Sequence, residues 1–180
     1  MRTTLPLETD IRNLNAASAA ASPTAAFMNA ASPGVIAFFQ PNDYYRTQDE
    51  YLEAVAAAMQ TEYEAIVNAG FILQIDAPDL AMGRHTMYRD RTLAEFDSLA
   101  ARHIEILNHA LRHVPADRVR MHVCWGNYEG RIIMMCRWSA CCPSSLKAKP
   151  PGSAVRGRQS APTPTSGWSS RMPKFRTTRS

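Results

Sequence analysis

Three short apolar runs alternate with two long amphipathic stretches over the first 130 residues of this chain. The runs are Val35-Ile36-Ala37-Phe38-Phe39, Phe71-Ile72-Leu73-Gln74-Ile75-Asp76 and Val119-Arg120-Met121-His122-Val123-Cys124. Short apolar runs bounded by turn residues read as buried strands. Pro33-Gly34 supplies turn chemistry before the first, and Gln40-Pro41-Asn42-Asp43 closes it. Between the runs, Leu52, Val55, Met59, Tyr63 and Ile66 recur at helical spacing after Thr47-Gln48-Asp49-Glu50, a capping box, and Gly70 stands at the C-cap. A second box, Thr92-Leu93-Ala94-Glu95, opens a stripe of Leu93, Phe96, Ala100, Ile104, Leu107 and Leu111, with Pro115 as its stop. Residues 1–31 are Ala-rich and predict two helical pieces broken at Ser22-Pro23.

Strand, long helix, strand, long helix, strand is a run of βα units and predicts a parallel sheet. Long helices with loops after each strand suit a (β/α)8 barrel, which needs about eight strands. Three cannot close one. The expected fold class is therefore α/β, a partial TIM-type barrel with a disordered C-terminal tail.

Charge sharpens the boundary of that tail. All 16 acidic residues lie in 1–130 with half of the 20 basic ones, so the first part is acidic and the pI is set by the remainder. Residues 131–180 carry neither hydrophobic period, are rich in Pro, Ser, Thr and Arg, and predict disorder. Three of the four cysteines (Cys136, Cys141, Cys142) lie there too. One cysteine in the body argues against a disulfide scaffold and for a reducing compartment. No charged segment followed by an apolar core opens the chain, and no apolar run approaches a membrane span. The body reads as soluble and cytoplasmic. The expected organisation is 1–130 as one partial barrel and 131–180 as a basic tail.

Candidate chemistry concentrates at strand ends. In an extended strand His122 and Cys124 share one face while Met121 and Val123 share the other. Imidazole and thiolate are zinc ligands, and a catalytic zinc site uses about three protein ligands with one open position. Alone, H-x-C is more often a packed histidine beside a buried thiol than a metal site. Asp76 ends the second run on the same face as Gln74; it reads either as a partner for a substrate ammonium group or as a cap on the following loop, since an unpaired buried carboxylate is costly. His85, His103, His109 and His113 read as surface or boundary residues, the last three on the long helix. Asp43, Tyr44 and Tyr45 read as ordinary loop residues after the first run.

Three segments together are more specific. Ser32-Pro33-Gly34-Val35-Ile36-Ala37-Phe38-Phe39, Leu73-Gln74-Ile75-Asp76-Ala77-Pro78-Asp79-Leu80-Ala81 and Met121-His122-Val123-Cys124-Trp125-Gly126-Asn127-Tyr128-Glu129-Gly130 resemble, in order and spacing, the cobalamin-independent methionine synthase family. The resemblance is strongest to short homologues of that family's C-terminal catalytic domain and spans most of 1–130. It implies a TIM-type barrel in which zinc activates a thiol, such as homocysteine, for methyl transfer from a methylfolate. By this resemblance His122 and Cys124 correspond to the first two zinc ligands and Asp76 to the residue that holds the amino-acid amine. No residue matches the family's later glutamate and cysteine ligands, no catalytic residue is carried over, and an internal start at Met1 is expected.

The resemblance also bears on the tail. Read one base earlier, the codons of Ile132-Ile133-Met134-Met135-Cys136 fix an Asp-Val pair and permit histidines before it, which resembles the family's continuation. Residues 131–180 are therefore expected to be an out-of-frame translation, and the chain an inactive fragment. Three alternatives stay open: another zinc thiol alkyltransferase of the same superfamily; a non-enzymatic protein whose basic tail binds nucleic acid; or a zinc cluster of Cys124, Cys136, Cys141 and Cys142. Salt-dependent phosphate binding follows from ten positive charges, but Trp138 and Trp168 alone make no stacking platform. Nucleic acid is thus an unfavoured partner, and the adjacent Cys141-Cys142 lacks zinc-ligand spacing. The oligomeric state is not encoded in any of these patterns.

Overall fold

The computed structural model describes residues 4–124. The expected disorder, the frame change and three members of the cysteine cluster, Cys136, Cys141 and Cys142, fall on residues outside that range. Helix α1 (Leu5–Ala21) ends at Ser22, whose left-handed φ of 45° and N–H bond to Ser18 O turn the chain out of the helix. Pro23 prevents its resumption. Strand β1 (Phe27–Ala31) follows, then helix α2 (Pro33–Phe39), helix α3 (Gln48–Asn68), strand β2 (Ile72–Asp76), helix α4 (Leu93–Ala110) and strand β3 (Val119–His122). Three 3-10 turns, Pro78–Leu80, Met82–His85 and Ala116–Arg118, sit in the connections.

The long helices start where their caps predict. Thr47 Oγ1 accepts from Glu50 N at 3.1 Å, and Thr92 and Glu95 close a reciprocal capping box. Gly70 takes φ +92°, the left-handed conformation expected of a residue that turns the chain from α3 into β2. Helix α4 stops at Ala110, several residues before Pro115, so His113 lies beyond it.

Two expectations for the N-terminal third are corrected. Val35–Phe39 is helical, and the strand is the preceding segment, Phe27–Ala31. The reason is local at one site and tertiary at the other. Ser32 Oγ accepts from Val35 N at 3.0 Å and Pro33 occupies the first helical turn, which together form a helix start rather than a strand-entry turn. Phe27–Ala31 gains its extended form by pairing with β2, which overrides the helix propensity of its alanines.

The fold-class expectation is corrected as well. The sheet has three parallel strands in the order β1-β2-β3, with β1 and β3 as its edges, and it is not closed into a barrel. Among the described residues the fold is a small open α/β sheet with four α-helices. Closure needs about eight strands with a consistent tilt and stagger. Helix α3 packs on β1 and β2, and α3, α2 and α4 pack on one another. The core lies between these helices and one sheet face: Leu73 and Ile75 are fully buried, as are Tyr63 and Ile66 on α3 and Ile106 and Leu107 on α4. Tyr63 also donates to Ala31 O at 2.6 Å, tying α3 to the end of β1. No helix among the described residues is long and apolar enough to cross a membrane.

Candidate functional site

The alternation read from β3 holds. Val119 and Met121 are buried, as is Val123 just beyond, while Arg120 and His122 are exposed and Cys124 is half-buried. In β2 the same alternation buries Leu73 and Ile75 and leaves Gln74 and Asp76 on the other face. Parallel register then aligns the polar residues in rows. Asn29 lies beside Gln74 and Gln74 beside Arg120; Ala31 lies beside Asp76 and Asp76 beside His122.

These rows are connected through side chains. His122 Nδ1 lies 3.1 Å from Asp76 Oδ1. Gln74 Nε2 donates to the same oxygen at 3.3 Å, and Asn29 Nδ2 donates to Asp76 Oδ2 at 3.2 Å. Arg120 Nε donates to Gln74 Oε1 at 2.9 Å, and its guanidinium lies 3.7 Å from the centre of the Phe27 ring. A carboxylate can only accept, so the imidazole presents its Nδ1–H to Asp76, and the neutral ring in that tautomer has its lone pair on Nε2. A histidine oriented by a carboxylate in this way is the usual arrangement of a metal-ligating imidazole.

The strand ends are held by backbone as well. Ser32 N donates to Asp76 O at 2.9 Å, Ala77 N to His122 O at 2.9 Å, and Met82 N to Cys124 O at 3.1 Å. Cys124 lies past the last residue of β3, so the turn after β2 secures its main chain.

His122, Cys124 and Asp76 thus occupy neighbouring strand ends, with Asp76 and His122 in direct contact. Fit to zinc is partial. The donors are right in kind, an imidazole with its carboxylate and a thiol. In number they fall short: no group of three or more His, Cys, Asp or Glu side chains that could hold a metal occurs among the described residues. A catalytic zinc site needs about three protein ligands.

The remaining candidates separate. Tyr44 is 88% exposed, and Asn42 organises that loop by accepting from Tyr45 N at 2.8 Å and donating to Tyr45 O at 3.0 Å. His113 contacts Glu64 and Gln60 on α3, and His109 occupies the last turn of α4. His103 is not a surface residue: it is 4% exposed, with Nδ1 2.8 Å from Oδ2 of equally buried Asp79. Ser32 Oγ donates to Asp79 Oδ1 at 3.1 Å. Its position was readable, because residue 103 falls on the apolar face made by Phe96, Ala100, Leu107 and Ala110. Asn29 and Arg120 were also missed as members of the polar face. Arg120 is two residues before His122 and shares its face by the same period of two.

Comparison with known proteins gives a distant sequence relationship. Over 98 residues the chain is 34% identical to a methionine synthase of Saccharolobus solfataricus, a stretch covering 54% of the chain and 25% of that protein. Methionine synthases of Saccharolobus islandicus strains are 33% identical over the same extents. The chain is a distant homologue of methionine synthase. The link is at the level of the methionine-synthase-like transferases, and the chain spans about a quarter of the length of the curated relatives it matches. No family model and no solved structure matches it.

Proposed function

We propose that the strand-end face carrying Asp76, His122 and Cys124 is the thiol-activating half-site of a zinc-dependent methyl- or alkyltransferase related to methionine synthase. The observation that carries this reading is the Asp76–His122 contact, 3.1 Å, with Cys124 two residues further along the chain, just past the end of β3. His122, through Nε2, and Cys124, as thiolate, would hold the metal. Zinc bound there supplies a positive charge that lowers the pKa of an incoming thiol and keeps it as a nucleophile.

The chain's own residues do the rest. Asp76 fixes the imidazole ring, and its carboxylate, shared among Asn29, Gln74 and His122, is the acceptor available to a substrate ammonium group. The transferred group is a methyl from a methylfolate, the acceptor is homocysteine or another small thiol, and the compartment is the cytoplasm. Residues 4–124 supply two metal donors, so weak zinc binding and little turnover are the expected properties of this chain.

The test is zinc content and affinity of the purified full chain against the His122→Ala, Cys124→Ala double variant. Zinc bound by the natural chain and lost from the variant supports the half-site. Equal zinc in both, or none in either, overturns it.

A further inference from the structure

We infer that Asp79 and His103 form a buried latch that positions the main chain of the metal-donor segment, making both of them positioning residues for the proposed half-site. The inference deepens that proposal and rests on it for its functional meaning. The geometry stands by itself.

Cys124 has left the sheet ladder. At Val123 and Cys124, the described residues beyond His122, no strand pairing orients the chain, and the main chain is instead gripped by two amides from the turn after β2: Ala77 N on His122 O and Met82 N on Cys124 O. The segment 77–82 therefore stands in for a neighbouring strand. It can do so only if the segment is itself immobile. Asp79 lies between the two gripping amides and is 2% exposed. One carboxylate oxygen meets His103 Nδ1 at 2.8 Å from α4, and the other accepts from Ser32 Oγ at 3.1 Å at the start of α2. Ser32 in turn donates its own N–H to Asp76 O. The latch thus joins α4, the end of β1, the end of β2 and, through Ala77 and Met82, the end of β3.

One further observation and one general argument fit positioning better than bulk stabilisation. A Cβ on Gly34 would overlap Asp79 Oδ2 and fall 2.5 Å from His103 Nδ1, so the backbone of α2 closes directly over the pair and leaves it one geometry. A buried carboxylate–imidazole pair is also a weak source of stability compared with apolar side chains of similar volume, whereas its directional bonds specify a register.

The experiment is residue-resolved amide hydrogen exchange on the full chain, with cobalt affinity as a second readout. The natural chain is compared with His103→Ala and with the milder Asp79→Asn, which keeps the volume should the first variant fail to fold. The latch predicts that Ala77 and Met82 amides exchange roughly tenfold faster or more while Leu73 and Ile75 amides stay protected, since local openings can be far cheaper than global unfolding. Cobalt affinity falls in the same variants with His122 and Cys124 intact. Unchanged protection at Ala77 and Met82, or an equal loss across β2 and α3, overturns the latch. Absence of cobalt binding by the natural chain overturns the half-site instead and leaves the exchange result to decide the latch.

Discussion

Replacing Gly34 by alanine adds one methyl group where the structure has no room for it. The new Cβ would overlap Asp79 Oδ2 and sit 2.5 Å from His103 Nδ1. Neither partner can recoil into solvent, since Asp79 is 2% and His103 4% exposed. Overpacking of a filled interior costs about 1–3 kcal/mol. Parting a hydrogen bond to a charged group costs about 1.5–3 kcal/mol more. Against this, alanine in a helix gains at most about 1 kcal/mol over glycine. The net expectation is destabilisation by about 2–5 kcal/mol, large beside the ~5–15 kcal/mol that holds an ordinary domain together. The measurement is urea unfolding followed by far-UV circular dichroism, with Gly70→Ala as the control. Gly70 has nothing within 4 Å of the added methyl and pays only for its φ of +92°, about 1–2 kcal/mol. Gly34→Ala should therefore have the lower midpoint of the two at unchanged slope. A Gly34→Ala variant as stable as the natural chain would refute the close packing of α2 on Asp79 and His103, and with it the one-geometry argument for the latch.

Two further expectations concern the framework. Thr47→Ala removes the side-chain acceptor for Glu50 N and should cost about 1 kcal/mol, read by the same urea titration, with serine restoring most of it. Tyr63→Phe strips the Ala31 carbonyl of its 2.6 Å partner and should cost about 1–3 kcal/mol. Burial, reinforced by Glu62 and Asp79, raises the Tyr63 phenol well above its ordinary pKa. A raised folded value means this contribution is complete below the unfolded pKa of about 10 and is lost as pH rises beyond it. Stability should thus fall with increasing pH above about 10, and less steeply in Tyr63→Phe; parallel slopes for the two proteins would contradict the assignment.

Much of the candidate site's arrangement was legible because its pieces are local. The period of two on β3 assigns His122 to the exposed face and Met121 to the buried one from sequence neighbours alone. Asp76 is marked by standing at the end of an apolar run. What was not legible is that Asp76 and His122 touch, since they are 46 residues apart and meet only through the parallel register of β2 and β3. His103 was misread because a histidine on an apolar helical face is acceptable in the interior only when a partner waits there. That partner, Asp79, comes from a different turn 24 residues earlier.

By itself the sequence determined the two long helices, their caps at Thr47 and Thr92, the exit at Gly70, and the second and third strands. Each of these is decided by hydrogen-bonding groups and side-chain periods within a few residues. Tertiary structure decided which of Phe27–Ala31 and Val35–Phe39 is the strand, and that the sheet stays open with three members. An apolar run of five residues satisfies a helix or a strand equally well, and only the neighbour it pairs with or packs against removes the ambiguity. The Ser32–Asp79–His103 network belongs to the same class: it exists only once α2, α4 and the turn after β2 are brought together around it.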